Sequence, residues 1–588
     1  MRLGGLMVLA MSVWGQDGAA VYRQACMSCH PAGRFSGRPA AAVVRALETG
    51  VMWQHGMTLT QAQRVAVAEF VTGNRVLPEV AMPRCAAGAE FHAGGATWSG
   101  WGVDARNTRF QPEPGLTAAQ APALRLKWAF GFPGDNLAFG QAAVTGGRVF
   151  AGSQGGRVYS LDAESGCVHW VFEAAAGVRT AIEIAADVAY FGDLAANVYA
   201  VDTSTGKLKW KMRADAHPYA LITGAVKLAA GRVIVPVSSF EEGPAADGKY
   251  QCCTFRGSIV ALDQGTGREV WRSWMIGQPA VRRGQNKIGT PRFGPSGVAV
   301  WASPTIDERR GAVYVATGNN YTAPVTPLSD AIVALDLRTG RRLWQRQMMP
   351  GEAWNAGCNR PGKANCPDDE GPDFDFGSSP VLVELGAGRS VLVGAQKSGL
   401  VYGLDPAARG RLLWTTRVGV GGKLGGVQWG VATDGQRVYT AISDLEWLVM
   451  GTRVAGGFVF DPKKGGGLQA LSPATGARLW SAPAASVCEG RAACSPAQSA
   501  AVTALPGVVF SGSVDGHLRA YASEDGRVLW DYDTARDFTT VNGVAARGGS
   551  IDSAGAVVAG GMVFATSGYS LFGGMAGNVL LAFGLDKQ

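Results

Sequence analysis

Apolar and polar positions along this chain fall into one phrase that recurs seven times. A strand-length apolar run ends on a polar turn, and a glycine stands four residues before a tryptophan, as in "YSLDAESGCVHW" and "VALDQGTGREVW". The tryptophans are Trp170, Trp210, Trp271, Trp344, Trp414, Trp480 and Trp530. An eighth, Trp128 in "LRLKWAF", opens the series without the glycine turn. Ahead of the turns sit further strands broken by a tight turn, such as "GGRVFAGSQGGRVYSLD" and "PGVVFSGSVDGHLRAYA". Strand, turn, strand, turn, strand ending in tryptophan is the unit of a propeller blade. Eight tryptophans predict an all-β, eight-bladed propeller. The last strand, "NVLLAFG", is expected to complete a blade begun near residue 125, which closes the ring and removes exposed sheet edges.

The tryptophans stand 42, 40, 61, 73, 70, 66 and 50 residues apart. A bare blade needs about 40 residues. The middle blades therefore carry inserted loops on a rigid scaffold, and such loops usually build a site.

The first residues break this pattern. "GAAVYRQAC" and "LTQAQRVAVAEFVTG" place apolar residues at helical spacing, the second closing on Gly73. Between them lies "CMSCH". Cys26 and Cys29 have the spacing for thioether attachment of haem c, and His30 follows as the iron ligand. The sixth ligand should come from "LETGVMWQHGMT". Met52 follows a glycine in the G-x-M pattern of small c-type cytochromes, with His55 and Met57 as alternatives. The segments predicted are a signal peptide at residues 1–15, an all-α cytochrome c domain at 16–75, a linker at 76–96 and the propeller at 97–588. The leader has one arginine and a short apolar run, too short to span a bilayer.

Composition agrees with an exported, turn-rich globular protein. Hydrophobic residues make up 47% and charged residues 17%, with 83 glycines, and the net charge of +8 is spread without a long basic run. That excludes a disordered chain and argues against nucleic-acid binding. Ten cysteines suit an oxidising compartment, periplasmic or secreted. Cys358/Cys366 and Cys488/Cys494 are close enough to bridge short loops, and Cys85 and Cys167 form the leftover pair, although sequence leaves the connectivity open.

A tryptophan-docked eightfold propeller joined to a haem c domain resembles the quinohaemoprotein alcohol dehydrogenases, which use pyrroloquinoline quinone and calcium. The resemblance covers essentially the whole mature chain. It implies that Trp301, in "GVAVWASPTIDERRGAVYVATGNN", stacks beneath the planar quinone and that Asn319 gives its side-chain oxygen to calcium. "VSSFEEG" falls where the family has its calcium glutamate, leaving Glu241 and Glu242 as alternatives: the serines favour Glu242, and register from Thr223, itself a quinone-site residue, favours Glu241. In "GPDFDFGSSP" Asp375 matches the catalytic base, with Asp373 as fallback; Asn355 in the similar "GEAWNAGC" could not accept a proton. Lys397 falls near the quinone oxygens, Arg179 matches an arginine that pairs with a cofactor carboxylate, and Gln428 and Trp429 are placed to close another side. Adjacent Cys252 and Cys253 resemble the vicinal disulfide that roofs the quinone in the family, but occur at a different place in the chain. The resemblance also implies an alcohol substrate, small or polymeric, and an external electron acceptor such as another cytochrome c.

Two other readings compete. A tryptophan-docked propeller can serve as a non-catalytic envelope scaffold, but such scaffolds lack the long loops, the Trp301/Asn319 spacing and the haem. A haem-bearing reductase propeller would need haem ligands in the propeller, and beyond the cytochrome domain the chain has only His92, His169, His217 and His517.

Overall fold

The computed structural model describes residues 17–27, 35, 40–48, 58–76, 82–86, 91–449, 459–485, 487–488 and 490–586. Cys29, His30, Met52, His55, Met57 and the leader at 1–15 lie outside the described residues. The chain divides into two compact units, Met1–Glu79 and Val80–Gln588.

The smaller unit has three helices among its described residues: α1 (Gly18–Ala25), α2 (Ala40–Glu48) and α3 (Gln61–Thr72). Asp17 caps α1, and Thr60 and Gln63 form a reciprocal capping box on α3, which ends at Gly73 with φ 72°. Val21, Tyr22, Leu47 and Val67 make a small shared core. A Cβ at Gly18 would lie 2.1 Å from the Ala66 carbonyl oxygen, so glycine is what lets α1 cross α3 closely. Cys26 stands at the end of α1, its N–H donating to the Tyr22 carbonyl at 2.9 Å.

The larger unit is the eight-bladed propeller. Each blade is an antiparallel sheet of four strands, the third extended by the short strand Ala220–Leu221, and short two-stranded hairpins lie outside the blades. The blades, numbered from the first complete one, span residues 143–173, 183–213, 227–274, 305–347, 381–417, 432–482 and 503–533. The eighth joins 557–584 to Arg125–Gly131, which pairs antiparallel with Val579–Gly584 from Arg125 opposite Gly584 to Gly131 opposite Val579. Inner and middle strands are buried on both faces because each sheet packs between two others. Ala312–Ala316 is buried end to end, whereas the outer strand Leu208–Arg213 alternates with solvent.

Opposite each tryptophan across the ladder stands a small residue: Ser160, Ala200, Ala261, Ala334, Gly403, Ala470, Ala520 and Ala582. The indole N–H then reaches a backbone carbonyl in the next blade, as from Trp170 to Thr203 at 2.8 Å and from Trp414 to Pro473 at 3.0 Å. The repeated turn is tied by its aspartate: Asp202 Oδ1 accepts from Thr205 N at 2.9 Å and Oγ1 at 2.8 Å. Its glycine has positive φ and lies on the preceding blade's indole; a Cβ at Gly267 would be 2.6 Å from Trp210. Trp530, last in the series, donates to the Leu124 carbonyl at 3.2 Å just before the closing strand.

One feature has no counterpart in the repeat. Residues 98–111 run round the inside of the ring and bind the innermost strand of every blade in turn. Trp98 pairs with Val144, and Ile184 N donates to Ser99 Oγ at 2.7 Å. Lys227 Nζ donates to the Asp104 carbonyl at 3.1 Å. Backbone N–H groups of Ile306, Leu382, Thr433 and Ala504 donate to the carbonyls of Ala105, Arg106, Thr108 and Arg109. Gln111 Nε2 reaches the Val558 carbonyl at 2.9 Å. This segment plugs the channel. At its centre Arg109 is fully buried, donating to Val502, Gln141, Thr503 and Trp101 and lying over the Trp101 ring at 4.7 Å.

The stretch expected to be a linker contributes to the propeller unit over its second part. Cys85 bridges Cys167, Arg84 pairs with the outer strand of the first blade at Val168, and Gly94 N donates to Thr145 Oγ1 at 2.9 Å. Cys358–Cys366 and Cys488–Cys494 are also bridged. Among the described residues no helix is long and apolar enough to cross a membrane.

Candidate active site

In an antiparallel blade, the loop from second to third strand and the loop to the next blade open on the same face. Glu242, Asn319 and Lys397 stand on the first kind, in the third, fourth and fifth blades. Arg179, Thr223, Trp301, Asp373, Asp375, Gln428 and Trp429 stand on the second kind. All of them line one cavity on that face. Residues up to about 250 positions apart thus converge because the scaffold is circular.

The cavity floor is aromatic. Trp301 is half-buried, and Trp429 packs edge-on against it with centroids 5.5 Å apart and planes at 84°. Thr223 Oγ1 donates to the Trp301 carbonyl at 3.2 Å. Two glycines admit this ring: a Cβ at Gly377 would lie 2.1 Å from Trp301 Cη2, and one at Gly318 would lie 2.9 Å from Asp375 Oδ1 and 3.4 Å from Trp301 Nε1. Arg179 lies over the Trp429 ring at 4.4 Å, and its buried Nη2 has no hydrogen-bond partner. Trp429 Nε1 donates to Asp552.

Acids crowd one side. Lys397 Nζ donates to Asp373 Oδ1 at 3.0 Å and to Asp375 Oδ2 at 3.4 Å. Burial lowers the Lys397 ammonium's proton affinity, but Asp373 and Asp375 outweigh it and hold the group charged. Asp375 Oδ1 accepts the Asn319 backbone N–H at 2.7 Å. Burial, then the nearby Asp375 charge, pushes the Glu242 carboxyl up to about 7. Burial likewise raises Asp373 well above the ordinary carboxylate range, against the pull of Lys397. Such a surplus of carboxylates is the field a divalent cation relieves. Asn319 Nδ2 donates to the Trp354 carbonyl at 3.2 Å, leaving its Oδ1 as a possible ligand atom.

The structure separates the two neighbouring glutamates. Glu241 is fully buried outside the cavity lining, and its carboxylate is taken by Tyr250 Oη and the backbone N–H groups of Thr254 and Phe255 at 2.8–3.0 Å. Only Glu242 lines the cavity. The Glu241 alternative for calcium is therefore set aside: its carboxylate faces these donors, away from the cavity lining. Cys252 and Cys253 form a vicinal disulfide, but it lies in the buried cluster with Phe255, Ala299 and Tyr321 rather than in the cavity lining. Asn355 caps a short 3₁₀ turn and donates to the Tyr321 and Asn365 carbonyls.

Sequence reasoning missed the cavity's rim and its rear. At the rim Lys423 lies over the Trp354 ring at 5.0 Å, and Trp447 Nε1 donates to the Phe572 carbonyl at 3.2 Å. Behind Asp375 lie Asp330 and Glu352, both buried. Glu352 stands only three residues before Asn355, in the segment set aside as lacking a base, so its acid was visible there. Asp330, Asp552, Trp447 and Phe572 carry no local signal.

The family model described as outer membrane protein assembly factor BamB matches residues 109–348 and 328–579. The propeller resembles the quinohaemoprotein alcohol dehydrogenase ADHIIG of Pseudomonas putida, with TM-score 0.62 at 18% identity over 84% of this chain and 80% of that one. It also resembles the quinohaemoprotein alcohol dehydrogenase of Comamonas testosteroni, with TM-score 0.58 at 19% identity over 84% and 81%. Fold and cavity together define the class, a quinoprotein-type eight-bladed propeller. Two full-length relatives narrow it. A polyvinylalcohol dehydrogenase of Pseudomonas sp. is 39% identical over 97% of this chain and 94% of its own length. One from Sphingopyxis sp. strain 113P3 is 36% identical over 97% and 93%. The chain belongs to this propeller family and, within it, to the polyvinyl alcohol dehydrogenases, as an alcohol dehydrogenase of the quinohaemoprotein type.

Proposed function

We propose that the chain oxidises alcohol hydroxyl groups with pyrroloquinoline quinone and calcium in the propeller cavity, and passes the electrons to haem c in its N-terminal unit. The observation that carries this reading is the meeting of Asp375, Lys397, Glu242 and Asn319 beside the Trp301 floor. The residues present fit both groups. A flat polycarboxylate matches an indole floor, the unpartnered Arg179 Nη2, Lys397 and the Thr223 hydroxyl, and a hard cation matches Glu242 and the Asn319 amide oxygen.

The quinone, when bound, supplies the two-electron acceptor for the substrate's hydride. The chain's own residues do the rest. Asp375 takes the hydroxyl proton, oriented by the Asn319 N–H on one oxygen and by Lys397 on the other. Arg179 and Lys397 fix the cofactor's anionic edge, and the Trp301–Trp429 pair holds its plane. Residues 16–75 serve as the cytochrome c domain, with Cys26 and Cys29 as thioether attachments and His30 and Met52 as iron ligands. The leader at 1–15 directs export, to the periplasm or outside the cell, where another cytochrome c accepts the electrons. The relatives' names make the secondary hydroxyls of polyvinyl alcohol the substrate to try first.

Reconstitution with calcium and pyrroloquinoline quinone, followed by alcohol addition, tests the reading through the reduced-haem α band. Haem reduction by polyvinyl alcohol or another secondary alcohol is expected. No reduction by any primary, secondary or polymeric alcohol would overturn it.

A further inference from the structure

Glu241 and the vicinal disulfide stand beside the cavity without a role in the scheme above, and they meet in one knot. Glu241 is fully buried just beyond the third blade's strand Arg232–Ser239. Its Oε1 accepts the Tyr250 hydroxyl and the Thr254 N–H, both at 2.9 Å, and its Oε2 accepts the Phe255 N–H at 2.8 Å. The Thr254 hydroxyl adds a longer bond to Oε1 at 3.4 Å and itself meets His217 Nε2 at 3.0 Å. These bonds close residues 241–255 into a loop, and the Cys252–Cys253 bridge lies within the closure. The bridge packs with Phe255, Ala299 and Tyr321, and the last two also line the cavity. The Cys252 carbonyl accepts the Phe293 N–H at 2.7 Å, which ties the loop to the hairpin at 281–294.

An acid suits this place better than its amide. The groups bonded to Glu241 are hydroxyl and N–H donors, and a glutamine would turn its own NH2 toward one of them. A buried carboxylate is costly unless it is hydrogen-bonded, so these bonds hold the loop firmly.

The consequence falls on the next residue. Consecutive Cα atoms lie about 3.8 Å apart, so pinning Glu241 leaves the backbone of Glu242 little room to shift. The Glu242 carbonyl accepts the Ala356 N–H at 3.1 Å, and the Gly243 N–H returns to the Phe240 carbonyl at 3.1 Å. Glu242 is thus held from both sides, and its side chain is left to enter the cavity.

We propose that Glu241, clasped by residues 250–255 and their cysteine bridge, is a positioning residue that aims Glu242 at calcium. This rests on the reading of Glu242 and Asn319 as calcium ligands. Glu241 touches neither ion, quinone nor substrate; it fixes the backbone from which its neighbour reaches. The cysteine pair serves the metal side of the site from behind its wall.

The test reads calcium binding to the full chain, without quinone, by isothermal titration calorimetry. Glu241→Gln should weaken calcium roughly ten- to a hundredfold, the usual effect of losing a group that orients a metal ligand. Tyr250→Phe removes one donor and keeps the acid, so it should weaken calcium less. Cys252→Ala combined with Cys253→Ala should weaken it as well. Raised calcium should restore alcohol-driven haem reduction in each variant, because the ligands themselves remain. Parental calcium affinity in Glu241→Gln and Tyr250→Phe would overturn the proposal, since a merely structural role moves the melting temperature alone. If Glu241→Gln fails to fold, Tyr250→Phe and the cysteine double variant decide. Glu242→Gln separates this proposal from the reading beneath it. If Glu242→Gln loses calcium while the other variants keep it, the proposal alone falls. If Glu242→Gln binds as tightly as the parent, or the parent takes up no calcium, the ligand reading falls and takes the proposal with it.

Discussion

The backbone N–H of Asn319 donates to Asp375 Oδ1 at 2.7 Å, tying the residue proposed to offer an oxygen to calcium to the residue proposed as the base. Gly318, just before Asn319, leaves room for this contact beside the Trp301 indole. Asp375→Asn keeps the shape but removes the acceptor. Substrate-driven haem reduction should drop by about 10²–10⁴-fold, the span associated with a positioned base. The haem spectrum and cofactor titration should be unchanged.

Arg179 offers a buried guanidinium nitrogen with no partner in the protein. A hydrogen bond to a charged group contributes about 1.5–3 kcal/mol. Arg179→Gln should therefore weaken quinone binding by roughly ten- to a hundredfold. Quenching of tryptophan fluorescence during titration of the apoprotein, with Trp301 and Trp429 at the site, measures this independently of turnover.

Glu352 holds its proton up to about 7 in the fold, against an ordinary 4.5. A raised carboxyl favours the folded state below the unfolded value, and that contribution is lost as pH rises from 4.5 through about 7. Glu352→Gln mimics the protonated form at every pH. Its melting temperature relative to the parent should therefore climb between pH 5 and pH 8, as followed by circular dichroism.

Gly267 has φ 70°, and a Cβ there would press within 2.6 Å of the Trp210 ring. Gly267→Ala should destabilise by about 1–3 kcal/mol, combining the left-handed backbone with displacement of the docked indole. Gly435 has φ 85° with no atom near its Cβ direction, so Gly435→Ala should cost less, from backbone strain alone. Thermal melts of the pair separate the two contributions.

Arg109 closes the channel plug with bonds to Val502 at 2.6 Å, Gln141 at 2.7 Å and Thr503 at 3.1 Å. Arg109→Met leaves those acceptors buried and unpaired, and should destabilise by about 3–5 kcal/mol. Because the plug binds the inner strand of every blade, the variant should lose cooperativity in denaturant melts as well as midpoint.

The eightfold ring was legible in the chain because each blade repeats the same local physics. A strand that must take an indole from the outer strand carries a small residue opposite it, and the turn that lies on an indole must be glycine. The closing strand was equally legible: Arg125–Gly131, with its tryptophan, stands as the outer strand of a blade whose other strands come from the far end of the chain, and it pairs with "NVLLAFG". Most cavity residues were readable only through the resemblance, although Asp375 and Glu242 did have acids to show. Tertiary structure decided what local pattern could not: Glu241 and Glu242 are adjacent and chemically identical, and only the fold gives one to backbone donors and the other to the cavity. The plug at 98–111 escaped notice because its hydrogen bonds go to eight different blades, a pattern with no period in the chain. Asp330 and Glu352 stayed hidden for the same reason, since burial and distance from a base are set by how blades surround an axis. The sequence by itself determined the repeating blade and the haem motif, whose causes lie within a few residues. Only the closed ring decided which residues line the cavity, because that depends on loops brought together from several blades.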